Sequence, residues 1–285
     1  EMGNDWFYGC SKTSDRQNIK EGKCPEIELV AIADSNPYNI QAMKDAGYED
    51  VVYFADADEM MNSGLIDSVI VAIPHCFHAQ YAIKAMKKGL HVMVEKPADF
   101  YTKQARKMND VAKESDVVFG MMFNQRTNHI YRKMRELVQS GELGEIRRVS
   151  WIITDWYRPQ AYYDSGNWRA TWRGEGGGVL FNQCPHQIDL VQWVVGELPV
   201  QVNGFCQYGK WHDIEVEDDV TAYVEYENGA TGVFITSTGD ACGSNRFEIQ
   251  MDKAKLVVED DKLTVIEFEM TEQEFTKTNK IPFAQ

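Results

Sequence analysis

The sequence has no C-x-x-C pair, no cysteine and histidine at zinc spacing, no apolar run near the length of a membrane span and no basic excess. Each absence closes a class of function. Without clustered Cys and His ligands there is no signal for a metal. The six cysteines, at 10, 24, 76, 184, 206 and 242, read as reduced and mostly buried thiols, which fits a reducing cytoplasm. A bilayer span needs about 20 apolar residues, and the opening stretch EMGNDWFYGCSKTSD has neither the basic leader nor the apolar core of a signal peptide. Lys and Arg total 29 against 44 Asp and Glu, a net charge of −15. Nucleic acid and anionic membrane both require a basic face, so neither is an expected partner.

What is present is a globular composition, 44% hydrophobic and 26% charged. The first part of the chain alternates short apolar runs (28–34, 51–54, 67–73, 91–95, 117–123) with helix-like stretches closed by Gly47, Gly64 and Gly89. That alternation predicts right-handed crossovers and a parallel sheet covered on both faces. After about residue 124 the strands lengthen and several alternate with period two, as in Thr221-Ala-Tyr-Val-Glu-Tyr226. One helix, about 184–195, interrupts them. The expected architecture is α/β: a Rossmann-like parallel-sheet domain over 1–124, then an α+β domain over 125–285 with a large, mostly antiparallel open sheet.

Asp34 ends the first apolar run. An acid at the end of the second strand of a dinucleotide fold accepts from the adenosine ribose hydroxyls and repels a 2′-phosphate, favouring NAD over NADP. The alternative is an Asp opening the Asn36-Pro37 turn. The glycine fingerprint expected upstream is absent. Glu1-Met2-Gly3 reads as the tail of such a loop whose first strand and first glycines are lost; otherwise 5–13 is a nonstandard loop. Lys96, in Glu95-Lys96-Pro97, stands where a strand must stop, because proline cannot extend it. Ligands of open α/β sheets bind at that edge. Ahead of a helix started by Pro185 lies Asn182, and just inside that helix His186. A histidine near a helix N-terminus has a depressed pKa and can serve as a base, or can simply be structural. The acids Asp213, Glu215, Glu217, Asp218 and Asp219 read as a solvated turn.

Three motifs together, Ile70-Val-Ala-Ile73-Pro74-His75-x-x-His78, Gly89-Leu-His-Val-x-Val-Glu95-Lys96-Pro97 and Gly176-Gly-Gly…Asn182-x-x-x-His186-x-x-Asp189, resemble the Gfo/Idh/MocA family of glucose–fructose oxidoreductase and inositol dehydrogenase. The resemblance runs from about residue 25 to 265. It implies NAD, a sugar or cyclitol substrate, Lys96 holding the reacting hydroxyl and His186 as acid/base. Asn182 stands where many members carry Asp, so it can hold a substrate hydroxyl but cannot act as a carboxylate. The resemblance further implies that Ile73, Pro74, His75 and His78 lie along the nicotinamide side, Glu95 near its ribose, and that Asn124 and Arg126, on the exit from the last Rossmann strand, line the crevice between domains, Lys96 and Asn124 as cofactor contacts and Arg126 as a substrate contact. Gly3 completes the cofactor set.

Residues 155–173 hold three Trp, three Tyr and three Arg in 19 positions. Aromatic faces stack on sugars and Arg donates to hydroxyls or acids, so Tyr157, Arg158, Tyr163, Trp168 and Arg169 are expected substrate contacts; a packed connector is the other reading. The leading expectation is an NAD-dependent sugar or polyol dehydrogenase. Redox-assisted glycoside cleavage with retained NAD uses the same residues, and a silent ligand-sensing or scaffold protein of the same fold is a third reading. An open sheet needs a cover, so a homodimer or homotetramer through that sheet is expected. Compared with the resembled family, the chain is expected to be trimmed or altered at both ends.

Overall fold

The structure is a computed structural model that describes residues 27–282. Gly3, the stretch expected to hold the phosphate loop, Cys10 and Cys24 lie outside the described residues. The chain forms two compact units. One runs to Phe123 and also takes in Ser165–Arg169 and Arg173–Gly176; the other takes in Asn124–Asp164, Ala170–Trp172 and the chain from Gly177 onward.

The first unit contains β1 (Ala31–Ala33), α1 (Pro37–Asp45), β2 (Val52–Phe54), α2 (Ala57–Asn62), β3 (Ser68–Val71), α3 (His78–Lys87), β4 (His91–Val94), α4 (Thr102–Glu114) and β5 (Phe119–Met121). The strands are short and all pair in parallel, β1 with β2 and β4 between β3 and β5. Apolar side chains at Ala79, Ala82, Ile83 and Met86 repeat at helical spacing and line one face of α3. They pack with Val69, Val71, Val92 and Val94 of the sheet and with Met108 of α4 into one core. Full burial of each larger side chain contributes about 1.5–3 kcal/mol. Two of the helices, α1 and α2, begin where the sequence can cap them: Asn36 accepts from the Tyr38 amide ahead of Pro37, and Asp56 accepts from the amides of Asp58 and Glu59.

The second unit opens with a 3-10 turn, Asn124–Thr127, and continues through α5 (His129–Gln139), β6 (Ile146–Ile153), α6 (Gln160–Tyr163), α7 (Val179–Asn182), α8 (Pro185–Val195), β7 (Gln201–Tyr208), β8 (Glu217–Glu225), β9 (Thr231–Ser237), β10 (Asn245–Met251), β11 (Ala254–Glu259), β12 (Lys262–Glu267) and α9 (Glu272–Thr278). Its seven strands lie in the order β12-β11-β10-β6-β9-β8-β7, and β6–β9 is the parallel pair in an otherwise antiparallel sheet. Register sorts the two faces. Trp151 lies opposite Phe234 and Phe247 and stacks on Phe247 with ring centroids 4.3 Å apart; this row joins Met134 and Val138 of α5 and Leu190 and Val194 of α8 in the core. The next row, Phe205, Thr221, Ile235 and Ile152, points the other way. Phe205 is 70% exposed on that side.

Candidate active site

In the first unit, the chain ends after β1, β2 and β3 share one cavity. It is lined by Asp34, Asp56, Ile73, Pro74, Phe77 and Tyr81 among others. This is the carboxyl edge of a parallel sheet, where nucleotides bind in such folds. Asp34 is buried. Its Oδ1 accepts from the Asn36 amide (2.7 Å) and its Oδ2 from the Asn39 side chain (2.9 Å). Burial raises its pKa, and those two donors oppose the rise. The carboxylate is thereby fixed in direction, and both oxygens keep lone pairs for a ribose diol. Asp56 adds a second carboxylate to the cavity. Its signal was legible, since Asp56-x-x-Glu59 is a helix-start pattern.

Beyond β4, Glu95, Lys96 and Pro97 form the turn expected from the sequence, with a cis Lys96–Pro97 peptide. The Lys96 amide donates to Glu95 Oε2 (3.3 Å). Around Lys96 the unit gathers His75, Phe100 and Trp168. His75 sits in a one-turn 3-10 helix, His75–Phe77, with its ring edge-on to Phe100 (6.0 Å) and Trp168 (6.2 Å). Burial drives its pKa down to about 3, with His78, Lys96 and Arg169 adding repulsion and the Glu175 carbonyl opposing. A ring this far below its usual range is neutral in any working solution, so His75 offers surface rather than a proton. His78 is buried, and both of its ring nitrogens face backbone carbonyls. It therefore presents no atom to a ligand, contrary to the expectation that it lines the nicotinamide. Trp168 and Arg169 pack with this unit, and the Arg169 guanidinium lies 4.5 Å from the Trp168 ring.

In the second unit, Gly177 and Gly178 lead into α7, whose last residue is Asn182. Glu217, buried at the start of β8, accepts from the Gly178 amide (2.9 Å) and the Leu180 amide (3.2 Å). It thus satisfies the N-terminus of a helix only one turn long. Burial raises its pKa, and the amide donors oppose that. Pro185 is the first residue of α8 and His186 its second, as the sequence implies. Asn182 donates to the Tyr162 hydroxyl (3.3 Å), and so does Gln183 (3.5 Å). Arg158 lies over the Tyr162 ring at 5.2 Å and donates to the Tyr157 carbonyl; Tyr157 is exposed.

Three expectations change here. Tyr163 is not a substrate contact: it is buried, and its hydroxyl bonds to Thr238 Oγ1 (2.9 Å), because successive residues of α6 point in different directions. Tyr162, its neighbour, is the tyrosine beside Asn182. Arg126 donates twice to the Asp189 carboxylate (2.8 and 2.5 Å), so its guanidinium is engaged with α8. The side-chain oxygen of Asn124 is buried without a hydrogen-bond partner. The acidic run is also not a uniformly solvated turn. Asp213 and Glu215 are exposed, but Glu217 and Asp218 are buried. Asp218 accepts from the amides of Lys210, Trp211 and His212 and contacts the His212 ring (3.1 Å), whose Nε2 donates to the Arg158 carbonyl (2.8 Å). This strut ties the Arg158 segment to β8.

Among the described residues, Cys206 and Cys242 are free thiols, no group of three or more His, Cys, Asp or Glu could hold a metal, and no helix is long and apolar enough to cross a membrane.

Residues 8–123 match the model of an oxidoreductase family with an NAD-binding Rossmann fold, and residues 131–257 match that of the GFO/IDH/MocA C-terminal domain. The chain belongs to the Gfo/Idh/MocA family. Among curated Gfo/Idh/MocA relatives it is 30% identical to the D-glucoside 3-dehydrogenase of Escherichia coli over 220 residues, 72% of this chain and 61% of that protein. It is 26% identical to the levoglucosan dehydrogenase of Pseudarthrobacter phenanthrenivorans over 253 residues, 79% of this chain and 63% of the relative. The chain spans about half to three-fifths of the length of the curated relatives it matches. Among solved structures, the WlbA dehydrogenase of Bordetella pertussis in complex with NADH and UDP-GlcNAcA superposes with a TM-score of 0.82 at 26% identity, covering 95% of this chain and 84% of that one. The parallel-sheet unit of this Gfo/Idh/MocA chain is therefore an NAD-binding Rossmann fold, and the seven-stranded unit is the family's second domain.

Proposed function

We propose that the protein is an NAD-dependent dehydrogenase that oxidises a secondary hydroxyl of a sugar, a cyclitol or a sugar derivative. The observation that carries this reading is the pairing, in one unit, of an acidic cavity at the carboxyl edge of the sheet with Lys96 at the end of β4. The residues fit NAD: the cavity holds two carboxylates and lies where a dinucleotide sits in this fold. Bound NAD supplies the hydride acceptor.

Lys96 donates to the reacting oxygen and stabilises charge as it becomes an alkoxide. His186 removes the hydroxyl proton, a task for an imidazole base at a helix start. Asn182, aligned by Tyr162, binds a neighbouring hydroxyl. Tyr157 and Arg158 complete the substrate side of the second unit. Trp168 and Arg169, packed beside His75, serve the nicotinamide side rather than the substrate. Ile73, Pro74 and Glu95 line the same edge. The exposed row of Phe205 and Ile152 on the outer sheet face supports assembly through that face in a second copy. The free thiols of Cys206 and Cys242 suit a cytoplasmic setting.

The test is a panel of sugars, cyclitols, glycosides and sugar acids incubated with NAD. Growth of NADH absorbance with one of them is expected. Aglycone release without net NADH would move the reading to redox-assisted cleavage. Failure to bind NAD by calorimetry would leave the silent reading. Asp34→Ala is expected to raise the NADP-to-NAD ratio of kcat/KM by about tenfold or more, since about 1.4 kcal/mol of lost repulsion is a factor of ten. An unchanged ratio would remove Asp34 from the ribose role.

A further inference from the structure

His78 is the first residue of α3, and its ring lies between two strand ends. Nδ1 is 2.6 Å from the carbonyl oxygen of Pro97 and Nε2 is 2.7 Å from that of Ile73. Ile73 follows β3 and Pro97 follows β4, so one side chain reaches the exits of two adjacent parallel strands. The ring is 1% exposed.

Carbonyl oxygens only accept. A contact this short is favourable only if a hydrogen lies between the two atoms. A neutral imidazole has one N–H and would turn the lone pair of its other nitrogen toward a carbonyl lone pair. An imidazolium has two N–H groups and satisfies both oxygens. The charged and titratable groups around the ring are His75 from the 3-10 turn, with centroids 5.7 Å apart, and Glu95 and Asp99 from the chain after β4. Burial is the largest influence and lowers the ring's pKa overall, while both carbonyls and both carboxylates favour the charge. His75 is neutral and adds no second positive charge.

We propose that His78 is a doubly protonated brace that joins the Ile73 and Pro97 carbonyls and thereby positions Lys96, the residue between Glu95 and Pro97. The ring touches neither substrate nor cofactor and acts through the turn. Removing one of its protons releases one carbonyl and frees one side of the turn, so the brace is present at low pH and lost as pH rises through the ring's pKa. The role for Lys96 rests on the dehydrogenase reading; the protonation state of His78 does not.

The experiment uses the full chain labelled with nitrogen-15 at histidine, with the His78 ring signals assigned by their loss in His78→Gln. At mildly acidic pH, below the ordinary imidazole pKa, both ring nitrogens are expected to carry protons. A lone-pair nitrogen at that pH would overturn the brace, whatever the enzyme turns over. With a substrate in hand, His78→Gln is expected to lower kcat by about 100-fold, the scale of a displacement near 1 Å, with little change in the Kd for NAD. The alkaline fall in wild-type kcat that follows His78 deprotonation is expected to vanish in His78→Gln. An identical pH profile in the two proteins would show that His78 merely fills space.

Discussion

Lys96→Met is expected to lower kcat/KM about 10²–10³-fold, the range seen when one preorganised donor to a developing oxyanion is removed. Methionine keeps most of the length and apolar stem of lysine while deleting the charge, so the loss reports the ammonium group. Its effect should fall on the chemical step, because the charge it stabilises exists only as the hydroxyl loses its proton. His186→Ala removes the proposed base and is expected to cost about 10²–10⁴-fold. The double variant should lose little more than the worse single one, since the two residues serve one proton and one hydride. In each variant the Kd for NAD, measured by calorimetry, should stay within about threefold of wild type. Steady-state turnover that survives in the double variant would end the assignment of both residues.

The second large effect concerns folding. Gly178→Ala would place a Cβ 1.9 Å from the carbonyl oxygen of Glu217 and 2.8 Å from its carbonyl carbon. Neither side can yield cheaply. The Glu217 backbone is fixed in β8 by its pairing with Tyr208, and its carboxylate holds the amides of Gly178 and Leu180. Opening that gap breaks a buried cap and unseats α7, which carries Asn182. A loss of about 3 kcal/mol or more is expected, in the class of strained or uncapped buried sites. At roughly 2–4 °C per kcal/mol for larger domains, the Tm should drop by about 6–12 °C. Gly204→Ala is the control: nothing lies within 4 Å of its added carbon, so its Tm should move little. Equal shifts in the two variants would mean that the close approach at Gly178 does not hold the site.

The long regularities of the chain were readable because they repeat. The strands of the first unit are apolar runs of three or more residues cut off by proline, glycine or a charged residue, and the helices between them show one apolar face. The second unit announced itself by longer strands with alternating faces. One-turn elements were not readable: His75–Phe77 and Val179–Asn182 are too short to show any period. Tyr162 and Tyr163 are the same residue type side by side, and only the turn of α6 decides which meets Asn182. Glu217 and Asp218 looked solvated because charge runs usually are. Their burial depends on amide donors at Gly178, Leu180 and 210–212, partners distant or ordinary enough in sequence to leave no mark on it. That Asp34 and Lys96 stand where strands stop was legible, but the enclosure of His78 between two carbonyls was not, since a sequence does not reveal which carbonyls a ring will meet.

The first unit is drawn from separate stretches of chain, and this sets an order on its making. Synthesis delivers β1 through β5 first, but Trp168, which closes over His75, and Gly176, which lies against Phe100, arrive only with the later stretches. At about 5–20 residues per second, that interval lasts on the order of 3–10 s. During it the growing chain presents His75 and Phe100 without their later cover, in a sheet that is otherwise ready to fold. Until those stretches arrive, the side of His75 and Phe100 that they later cover stays open to contact with other chains.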